Sequence, residues 1–205
     1  MNKLDLRTSL KTLYHPSGRE YSVVTVPPLN FLMIDGAGDP RSAQEYRDAV
    51  STLYAAAYTL KFAVKQQQDI DFAVMPLEGL WWTADGLYDP HAPNRDNWRW
   101  TMMIVQPECV SAELVQQTIV EVQRKKNPPL IERLRFECYD EGLAAHILYT
   151  GAYADEFPTI EAMYRFMEGC GYAHNGKHHE IYLNAPNRVP PEKLKTIIRQ
   201  PIRTQ

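Results

Sequence analysis

The spacing of apolar and polar residues changes several times along this chain of 205 residues, and each change marks the border of a predicted element. Short apolar runs rich in β-branched and aromatic residues predict strands at 21–26, 31–34, 72–82, 98–106, 134–139, 144–150, 178–184 and 194–199. Apolar residues that recur every three or four positions predict helices over about 42–68, 111–126 and 158–170. Since strands and helices do not alternate strictly, the order favours an α+β fold over repeated βαβ units.

The first predicted helix has a recognisable N-terminus and carries two tyrosines beside its apolar stripe. Ser42 and Glu45 have the spacing of a capping box, which predicts an N-terminus at this point. Tyr54 and Tyr58 lie one turn apart, beside the apolar stripe rather than on it. They are candidates to face a ligand, and the alternative is packing between the helix and the sheet.

A pattern of one glutamate in an apolar run, followed later by Gln-Pro, occurs twice in the chain. Glu78 and Glu180 are each a lone carboxylate inside an apolar, aromatic run, and a later short run ends on Gln106-Pro107 in one case and Gln200-Pro201 in the other. A duplicated unit of this kind closes about a pseudo-twofold axis, with equivalent residues facing each other. We therefore expect Glu78 and Glu180 to face one groove.

These observations predict the domain organisation. One domain over 1–205 would contain a first repeat at 21–107, a connector helix at 108–133 and a second repeat at 134–205. Duplicated β-α-β-β units predict an antiparallel sheet with helices on one face, and the other face is left for a ligand groove.

Charge and composition exclude several classes of function. The net charge is −3 and no segment is strongly basic, which disfavours nucleic acid as a partner. The three cysteines lack the spacing of a zinc site or a disulfide framework. No apolar run approaches the length of a membrane span, and the N-terminus has no apolar signal region. We expect a cytoplasmic protein without a membrane partner, and homodimerisation is left open.

Glu180 is the leading candidate for a functional carboxylate. In a strand, Glu180 shares a face with Tyr182, whereas Ile181 and Leu183 share the other face. The apolar pair is expected to face the helices, which places Glu180 and Tyr182 in the groove. The alternative is an exposed carboxylate.

The direction of the Glu78 side chain is harder to predict. The neighbouring Pro76 and Gly79 disturb strand regularity, so Glu78 could face either the groove or the surface.

Aromatic residues are expected to form the walls of the groove. All four tryptophans, Trp81, Trp82, Trp98 and Trp100, lie within twenty positions of each other. Adjacent Trp81 and Trp82 point to opposite faces of a strand, so one of them lines the site directly. The alternative for each tryptophan is plain core packing. The candidate ligand-binding residues are Tyr54, Trp81, Trp82, Trp100, Tyr153, Tyr182 and His178. The candidate catalytic residues are Glu180, Glu78 and Tyr58, the last as a phenolic proton donor.

His178 and His179 first suggest a metal site. Neighbouring residues of a strand point to opposite faces, and no further His or Cys lies at ligand spacing. We therefore predict no metal and no cofactor. His178 shares a face with Glu180, where it would tune the charge of that carboxylate or pass a proton.

Longer motifs carry a resemblance to a known family. They are Val26-Pro27-Pro28, Met75-Pro76-Leu77-Glu78-Gly79-Leu80-Trp81-Trp82, Trp98 with Trp100-Thr101-Met102-Met103-Ile104, and Gly176-Lys177-His178-His179-Glu180-Ile181-Tyr182-Leu183. The sequence resembles the GyrI-like small-molecule-binding family, in its stand-alone subgroup. The family also includes the drug-binding domain of BmrR-type regulators.

The resemblance implies a duplicated fold with a groove at the junction. It implies binding of lipophilic, often aromatic or cationic compounds, with a glutamate at the place of Glu180 anchoring the ligand. Some stand-alone relatives hydrolyse the cyclopropane ring of DNA-alkylating natural products. The roughly twenty polar residues before the first predicted strand are too few for the DNA-binding helix-turn-helix of the regulators.

Two hypotheses for function follow. In the first, the protein is a hydrolase in which Glu180 deprotonates a water that opens a strained ring of a flat xenobiotic. In the second, the same groove binds or sequesters cationic, lipophilic compounds without chemistry. Turnover measured as the gain of one water by the ligand separates the two.

Overall fold

The computed structural model describes residues 2–83, 86, 88 and 95–205. In chain order the strands of these residues are β1 (Asn2–Leu4), β2 (Ser22–Val26), β3 (Leu29–Ala37), β4 (Ile70–Phe72), β5 (Leu77–Thr83), β6 (Trp98–Gln106), β7 (Arg135–Tyr139), β8 (Gly142–Thr150), β9 (Tyr172–His174), β10 (His178–Tyr182) and β11 (Lys195–Thr204). The helices are α1 (Leu6–Ser9), α2 (Lys11–Tyr14), α3 (Gln44–Gln68), α4 (Ala112–Lys125) and α5 (Phe157–Gly169). No helix among them is long and apolar enough to cross a membrane.

One large antiparallel sheet forms the centre of the molecule. Its strands follow the order β2-β8-β11-β10-β5-β6-β3-β7, and β9 pairs with the end of β11. A separate parallel pair joins β1 to β4. The predicted α+β class with an antiparallel sheet is confirmed.

The strand order has an internal twofold correspondence. Exchanging β2 with β7, β3 with β8, β5 with β10 and β6 with β11 gives the same order in reverse. The centre of this correspondence is the pairing of β5 with β10, where Glu180 lies opposite Gly79. Each unit also exchanges a strand with the other, because β2 pairs with β8 and β7 pairs with β3. The repeat borders at 107 and 134 stay a prediction.

The two long helices of the units pack on the same side of the sheet. Tyr46 of α3 stacks on Trp81 of β5, and α5 packs its Ile160 and Met163 against β8 and β11. We call this side, which carries Trp81, Glu180 and Ile198, the helical face. The side that carries Glu78, His179 and Arg199 is called the opposite face, and α2 covers its centre with Leu13 and Tyr14.

The apolar stripe of α3 is buried as its spacing predicts. Leu53, Ala57, Leu60 and Val64 lie in the core, and Tyr46 packs at its border. Burying one such side chain contributes about 1.5–3 kcal/mol, so this stripe is sufficient to hold a long helix on the sheet. The helix α4 packs against α3 instead of against the sheet.

Two local predictions were wrong, and the N-terminal segment contains elements for which no prediction was made. The helix α3 begins at Gln44 without a side-chain cap, because Glu45 instead accepts the Ala37 backbone N–H at 3.1 Å and pairs with Arg133. The run 72–82 is divided, since Phe72 ends β4 and the next strand begins at Leu77. The N-terminal segment, which has a turn-rich sequence, contains β1, α1 and α2.

Candidate functional site

Glu180 lies on the central strand β10 and faces the helices. Its side chain accepts a hydrogen bond from the Tyr182 hydroxyl, with 2.8 Å between Tyr182 Oη and Glu180 Oε2. The Trp81 indole Nε1 donates in turn to the Tyr182 hydroxyl oxygen at 3.0 Å. Glu180 is only 6% exposed. A chain of two hydrogen bonds therefore fixes the orientation of a nearly buried carboxylate.

Aromatic rings surround this carboxylate. Tyr46 lies over Trp81 with ring centroids 6.2 Å apart, and it meets Trp100 edge-on at 5.5 Å. Tyr153 meets Tyr182 edge-on at 5.7 Å. Burial and then the charge of Glu180 raise the pKa of the Tyr46 hydroxyl, which keeps its proton at neutral pH. We call the group of Glu180, Tyr182, Trp81, Tyr46, Tyr153 and His178 the Glu180 cluster.

Gly36 allows Trp100 to lie flat against the sheet beside this cluster. Gly36 of β3 pairs directly with Trp100 of β6. A Cβ atom at position 36 would overlap the indole ring of Trp100. Because only glycine lacks that atom, the wall of the cluster depends on this residue.

His178 is enclosed next to Glu180. Its Nε2 lies 3.3 Å from Glu180 Oε1, and its ring stacks on Tyr88 with 4.4 Å between centroids and an interplanar angle of 9°. Neither ring nitrogen makes a hydrogen bond with good geometry to the described part of the chain. The imidazole is therefore available to a ligand or to a change of protonation at Glu180.

A second carboxylate, Glu156, is buried in the same region. It is 4% exposed and immediately precedes α5. Burial, followed by the negative charge of Glu180, raises the pKa of Glu156 to about 9. The same cause appears at Tyr153, where burial and then the charges of Glu156 and Glu180 raise the pKa to about 12. At neutral pH Glu156 therefore keeps its proton.

Glu78 does not join Glu180. It lies opposite Ile181 in the pairing of β5 with β10, and its side chain points to the opposite face. Tyr14 Oη donates to Glu78 Oε1 at 2.5 Å, and His179 Nε2 lies 3.0 Å from Glu78 Oε2. The expectation of one groove shared by Glu78 and Glu180 is wrong, because their strand positions differ by one step in register and one step reverses the direction of a side chain.

Glu78 belongs instead to a buried polar chain. His179 Nδ1 lies 2.8 Å from Glu141 Oε1, and Arg199 Nη1 donates to Glu141 Oε2 at 3.1 Å. Arg199 Nη2 also donates to the Leu13 carbonyl at 2.8 Å. We call Tyr14, Glu78, His179, Glu141 and Arg199 the buried polar chain. Its contacts connect α2 with β5, β10 and β11 and with the turn between β7 and β8.

The protonation of the buried polar chain is set by its own charges. Burial disfavours the ionised form of Glu141, but the charges of His179 and Arg199 outweigh burial and lower its pKa to about 2. Burial also disfavours a charged imidazole, yet Glu141 and Glu78 raise the pKa of His179 to about 9. At neutral pH the Glu141 carboxylate is therefore ionised between the charged imidazole of His179 and the guanidinium of Arg199.

The remaining predicted residues lie in different places. Trp82 points to the opposite face, where the Lys177 ammonium lies 3.5 Å from the centroid of its ring. Tyr54 and Tyr58 lie beside each other on α3 with ring centroids 6.3 Å apart, and Tyr58 is 49% exposed. Within the described part of the chain, no contact joins Tyr58 to Glu180. Trp100 and Tyr153 are in or beside the Glu180 cluster.

The predicted position of the groove needs a correction. Glu180 and Tyr182 face the helices, and Ile181 faces the N-terminal segment, which is the reverse of the expectation from their polarity. The N-terminal segment covers the opposite face with Leu13 and Tyr14, and strand patterns do not show this cover. Among residues 2–83, 86, 88 and 95–205, no group of three or more His, Cys, Asp or Glu is arranged to hold a metal ion.

Sequence reasoning missed Tyr46, Glu156, Glu141 and Arg199. Tyr46 fits the spacing of the apolar stripe of α3 and packs at the border of the core, so its spacing does not distinguish it from a core residue. Glu156 has the appearance of an ordinary acidic residue ahead of a helix. No local signal separates these residues from surface charges or core aromatics, since tertiary contacts give them their surroundings.

Comparison with known proteins places this chain in a family. A family model for the GyrI-like small molecule binding domain matches residues 19–203. No curated protein sequence matches the chain significantly. An uncharacterized conserved protein from Listeria innocua is 37% identical, with a TM-score of 0.89 over 98% of this chain and 100% of its own.

Two further solved structures extend the comparison. A hydrolase from Listeria innocua is 38% identical, with a TM-score of 0.86 over 98% of this chain and 100% of its own. The C-terminal domain of EcmrR shares the fold, with a TM-score of 0.54, 9% identity, and coverage of 91% of this chain and 98% of its own. The match over 19–203 and the similarity to the Listeria proteins show that this chain belongs to the GyrI-like small molecule binding domain family.

Proposed function

We propose that the protein binds flat, lipophilic aromatic compounds at the Glu180 cluster and hydrolyses those that carry a strained, activated ring. The observation that carries this proposal is a nearly buried carboxylate held by Tyr182 among aromatic rings. Membership of a small-molecule-binding family supports the binding part. Similarity to a Listeria hydrolase at 38% identity supports the chemical part.

Binding would rest on ring contacts. The faces of Trp81, Tyr46 and Tyr153 present apolar surface around one negative charge. Each square ångström of apolar ligand surface removed from water contributes about 25 cal/mol, so a flat polycyclic ligand gains several kcal/mol by stacking. Glu180 then adds a preference for ligands with positive or electron-poor character.

The proposed reaction is hydrolysis of a cyclopropane ring conjugated to a carbonyl group, as found in DNA-alkylating natural products. Glu180 takes a proton from a water molecule, and the water oxygen forms a bond to a ring carbon. The ring C–C bond between the attacked carbon and the carbon attached to the conjugated system breaks, and its electron pair moves into the conjugated carbonyl group. The carbonyl oxygen then takes up a proton from a donor in the site, so that the product is the substrate plus one water.

The hydrogen bonds of Glu180 suit a base. Tyr182 occupies Oε2, so Oε1, on the side of His178, is left to contact water. A positioned base of this kind accelerates proton transfer by about 10²–10⁴-fold. That acceleration is sufficient for a ring that is already strained and activated.

The alternative function is binding without chemistry. The same carboxylate between aromatic faces favours a lipophilic cation, which gains about 0.5–2 kcal/mol from each favourable ring in addition to charge pairing. A sequestering protein needs no more than this.

The cytoplasmic location and the lack of nucleic-acid binding stay predictions, and homodimerisation stays open.

The test compares Glu180→Gln with Glu161→Gln, a control on the exposed side of α5. Turnover of a spiro-cyclopropane dienone is measured by mass spectrometry as the gain of one water. Affinity is measured by tryptophan fluorescence for N-methylacridinium and for neutral 9-methylanthracene, which have the same shape. For a hydrolase, Glu180→Gln lowers turnover by at least about 10²-fold, which corresponds to about 3 kcal/mol.

The affinity measurements identify the alternative. If wild-type protein binds N-methylacridinium tightly but does not add water to the dienone, the protein is a binding module. Loss of cation affinity in Glu180→Gln, with 9-methylanthracene unaffected, would then assign that binding to the carboxylate. Unchanged turnover and affinity in Glu180→Gln would remove Glu180 from the site altogether.

A further inference from the structure

The hydrolase proposal leaves the donor of one proton unassigned, and Glu156 has the position of that donor. Glu156 directly precedes α5, where a carboxylate usually caps the free N–H groups of the first turn. Here the side chain makes no cap hydrogen bond and is buried, and its Oε1 has no hydrogen-bond partner. A buried carboxyl oxygen without a partner is costly unless a ligand or a proton compensates for it.

Ring contacts and one short turn place Glu156 close to Glu180. The Tyr182 hydroxyl donates to Glu180, and the Tyr153 ring packs edge-on against Tyr182. Tyr153 begins a turn of three residues that is followed directly by Glu156, and both glutamates are buried. In agreement with this placement, burial and then the charges of Glu156 and Glu180 raise the pKa of Tyr153. The two carboxyl groups therefore border one aromatic space, Glu180 from β10 and Glu156 from the start of α5.

We propose that Glu156 is the proton donor of this site and forms a carboxyl pair with Glu180, the base. This inference rests on the hydrolase proposal above. Glu180, ionised, takes a proton from the attacking water, and Glu156, protonated, gives its proton to the carbonyl oxygen as the ring C–C bond breaks. A proton then passes from Glu180 to Glu156, which restores both groups for the next turnover.

The other candidates for the donor are less suitable. The Tyr182 proton is already used in the hydrogen bond to Glu180, and burial and that charge raise its pKa well above the ordinary value. Tyr58 is 49% exposed, and Glu78 lies on the opposite face. A carboxyl group with a pKa of about 9 keeps its proton at neutral pH and still releases it more readily than a phenol.

The carboxyl pair also defines the class of ligand. With one proton held, the site offers one negative charge and one hydrogen-bond donor. This combination matches a neutral, electrophilic aromatic compound with a carbonyl acceptor. A lipophilic cation is bound better once Glu156 loses its proton, because the charge of the pair then changes from −1 to −2.

The experiment uses Glu156→Gln, with Glu161→Gln on the same helix as the matched control. Affinity for N-methylacridinium, whose charge is fixed, is measured from about pH 6 to about pH 9.5. In wild-type protein and in the control, affinity rises toward alkaline pH as Glu156 ionises. In Glu156→Gln the rise is lost, since the amide has no proton to release. An equal pH slope in Glu156→Gln and wild-type protein would overturn the assignment of the proton to Glu156.

Turnover of the spiro-cyclopropane dienone tests the donor role. Glu156→Gln is expected to lower turnover by about 10²-fold while the affinity for 9-methylanthracene stays at the wild-type value. Equal turnover in Glu156→Gln and wild-type protein would overturn the donor role and leave the hydrolase proposal standing. No turnover in wild-type protein would overturn the hydrolase proposal and the donor role together.

Discussion

Glu78 and Glu180 lie on adjacent antiparallel strands, one step apart in register, and their carboxylates point to opposite sides of the sheet. One side is the aromatic cluster proposed to bind ligands. The other is the buried polar chain that holds the N-terminal segment. Two glutamates with the same local sequence context are therefore expected to serve different purposes, Glu180 in binding and chemistry and Glu78 in stability.

Replacing Glu78 by Gln is expected to destabilise the protein without a direct effect on the ligand site. His179 would keep a positive charge with one carboxylate fewer inside the protein, and breaking a buried pair costs about 3–5 kcal/mol. Urea unfolding measures the loss. Ligand affinity of the folded fraction should equal that of wild type. A normal unfolding midpoint with lost ligand affinity would reverse the roles assigned to the two glutamates.

Tyr14→Phe tests the attachment of the N-terminal segment. The change removes only the hydroxyl that donates to Glu78, and the buried carboxylate oxygen is left without that donor. A loss of about 1–3 kcal/mol in the free energy of unfolding is expected. Limited proteolysis should also cut the first fifteen residues faster than in wild type. Tyr172→Phe, at a hydroxyl for which no hydrogen bond is described, serves as control and should change neither measurement.

The buried polar chain predicts a loss of stability at both ends of the pH range. The His179 pKa is raised from 6.5 to about 9, so its contribution is complete below pH 6.5 and disappears as the pH rises through 9. The Glu141 pKa is lowered from 4.5 to about 2, so its contribution is complete above pH 4.5 and disappears as the pH falls toward 2. Each shift corresponds to a contribution of the order of 3 kcal/mol, and the two share the His179–Glu141 contact.

Thermal unfolding measured across that range checks the prediction. His179→Gln should lower the stability at pH 6.5 and reduce the alkaline dependence to the part that Glu156 contributes. A wild-type midpoint that stays constant between pH 6.5 and 9 would show that His179 is not held in its charged form.

Glu156→Gln is expected to stabilise the protein at neutral and alkaline pH. The unfolded chain releases this proton near pH 4.5, whereas the folded protein keeps it until about pH 9. Between these values folding requires proton uptake, so wild-type stability falls as the pH rises. The variant avoids this cost, of the order of 1–3 kcal/mol at neutral pH. Differential scanning calorimetry at pH 4.5 and at about pH 8 measures it; a variant less stable than wild type at both would contradict the prediction.

The adjacent tryptophans offer a matched pair for ligand binding. Trp81→Phe removes an indole from the Glu180 cluster together with its hydrogen bond to Tyr182, and should weaken binding of 9-methylanthracene by about tenfold. Trp82→Phe alters the opposite face and should leave that affinity unchanged. The reverse result would place the ligand beside Lys177 instead of beside Glu180.

Local pattern was sufficient for the elements and for some of the site. The helical spacing of apolar residues predicts the buried stripe of α3. The alternation of side chains along a strand predicts that Glu180 and Tyr182 share a face. The relation of Glu78 to Glu180 does not, because it depends on how β5 and β10 pair, and one step of register reverses every side chain. No signal within either strand determines that step.

Local sequence patterns also do not predict that the N-terminal segment covers the opposite face. Leu13 and Tyr14 lie in a helix of four residues, too short for any periodic pattern, and long-range contacts bury them. Glu156 is one residue ahead of a helix, where an exposed carboxylate is ordinary. Its burial arises only in the folded protein, where residues distant in sequence enclose it.

The exchange of β2 and β7 between the two units has a consequence for how this protein is assembled and how it arose. Each half of the sheet is completed by a strand from the other unit, so neither half can be built from one contiguous stretch of chain. The pairings Ser22↔His146 and Leu77↔Tyr182 join positions more than one hundred residues apart, so folding is expected to be slow and to wait for the C-terminal strands. Two separate copies of one ancestral unit would have closed the same sheet by trading their first strands.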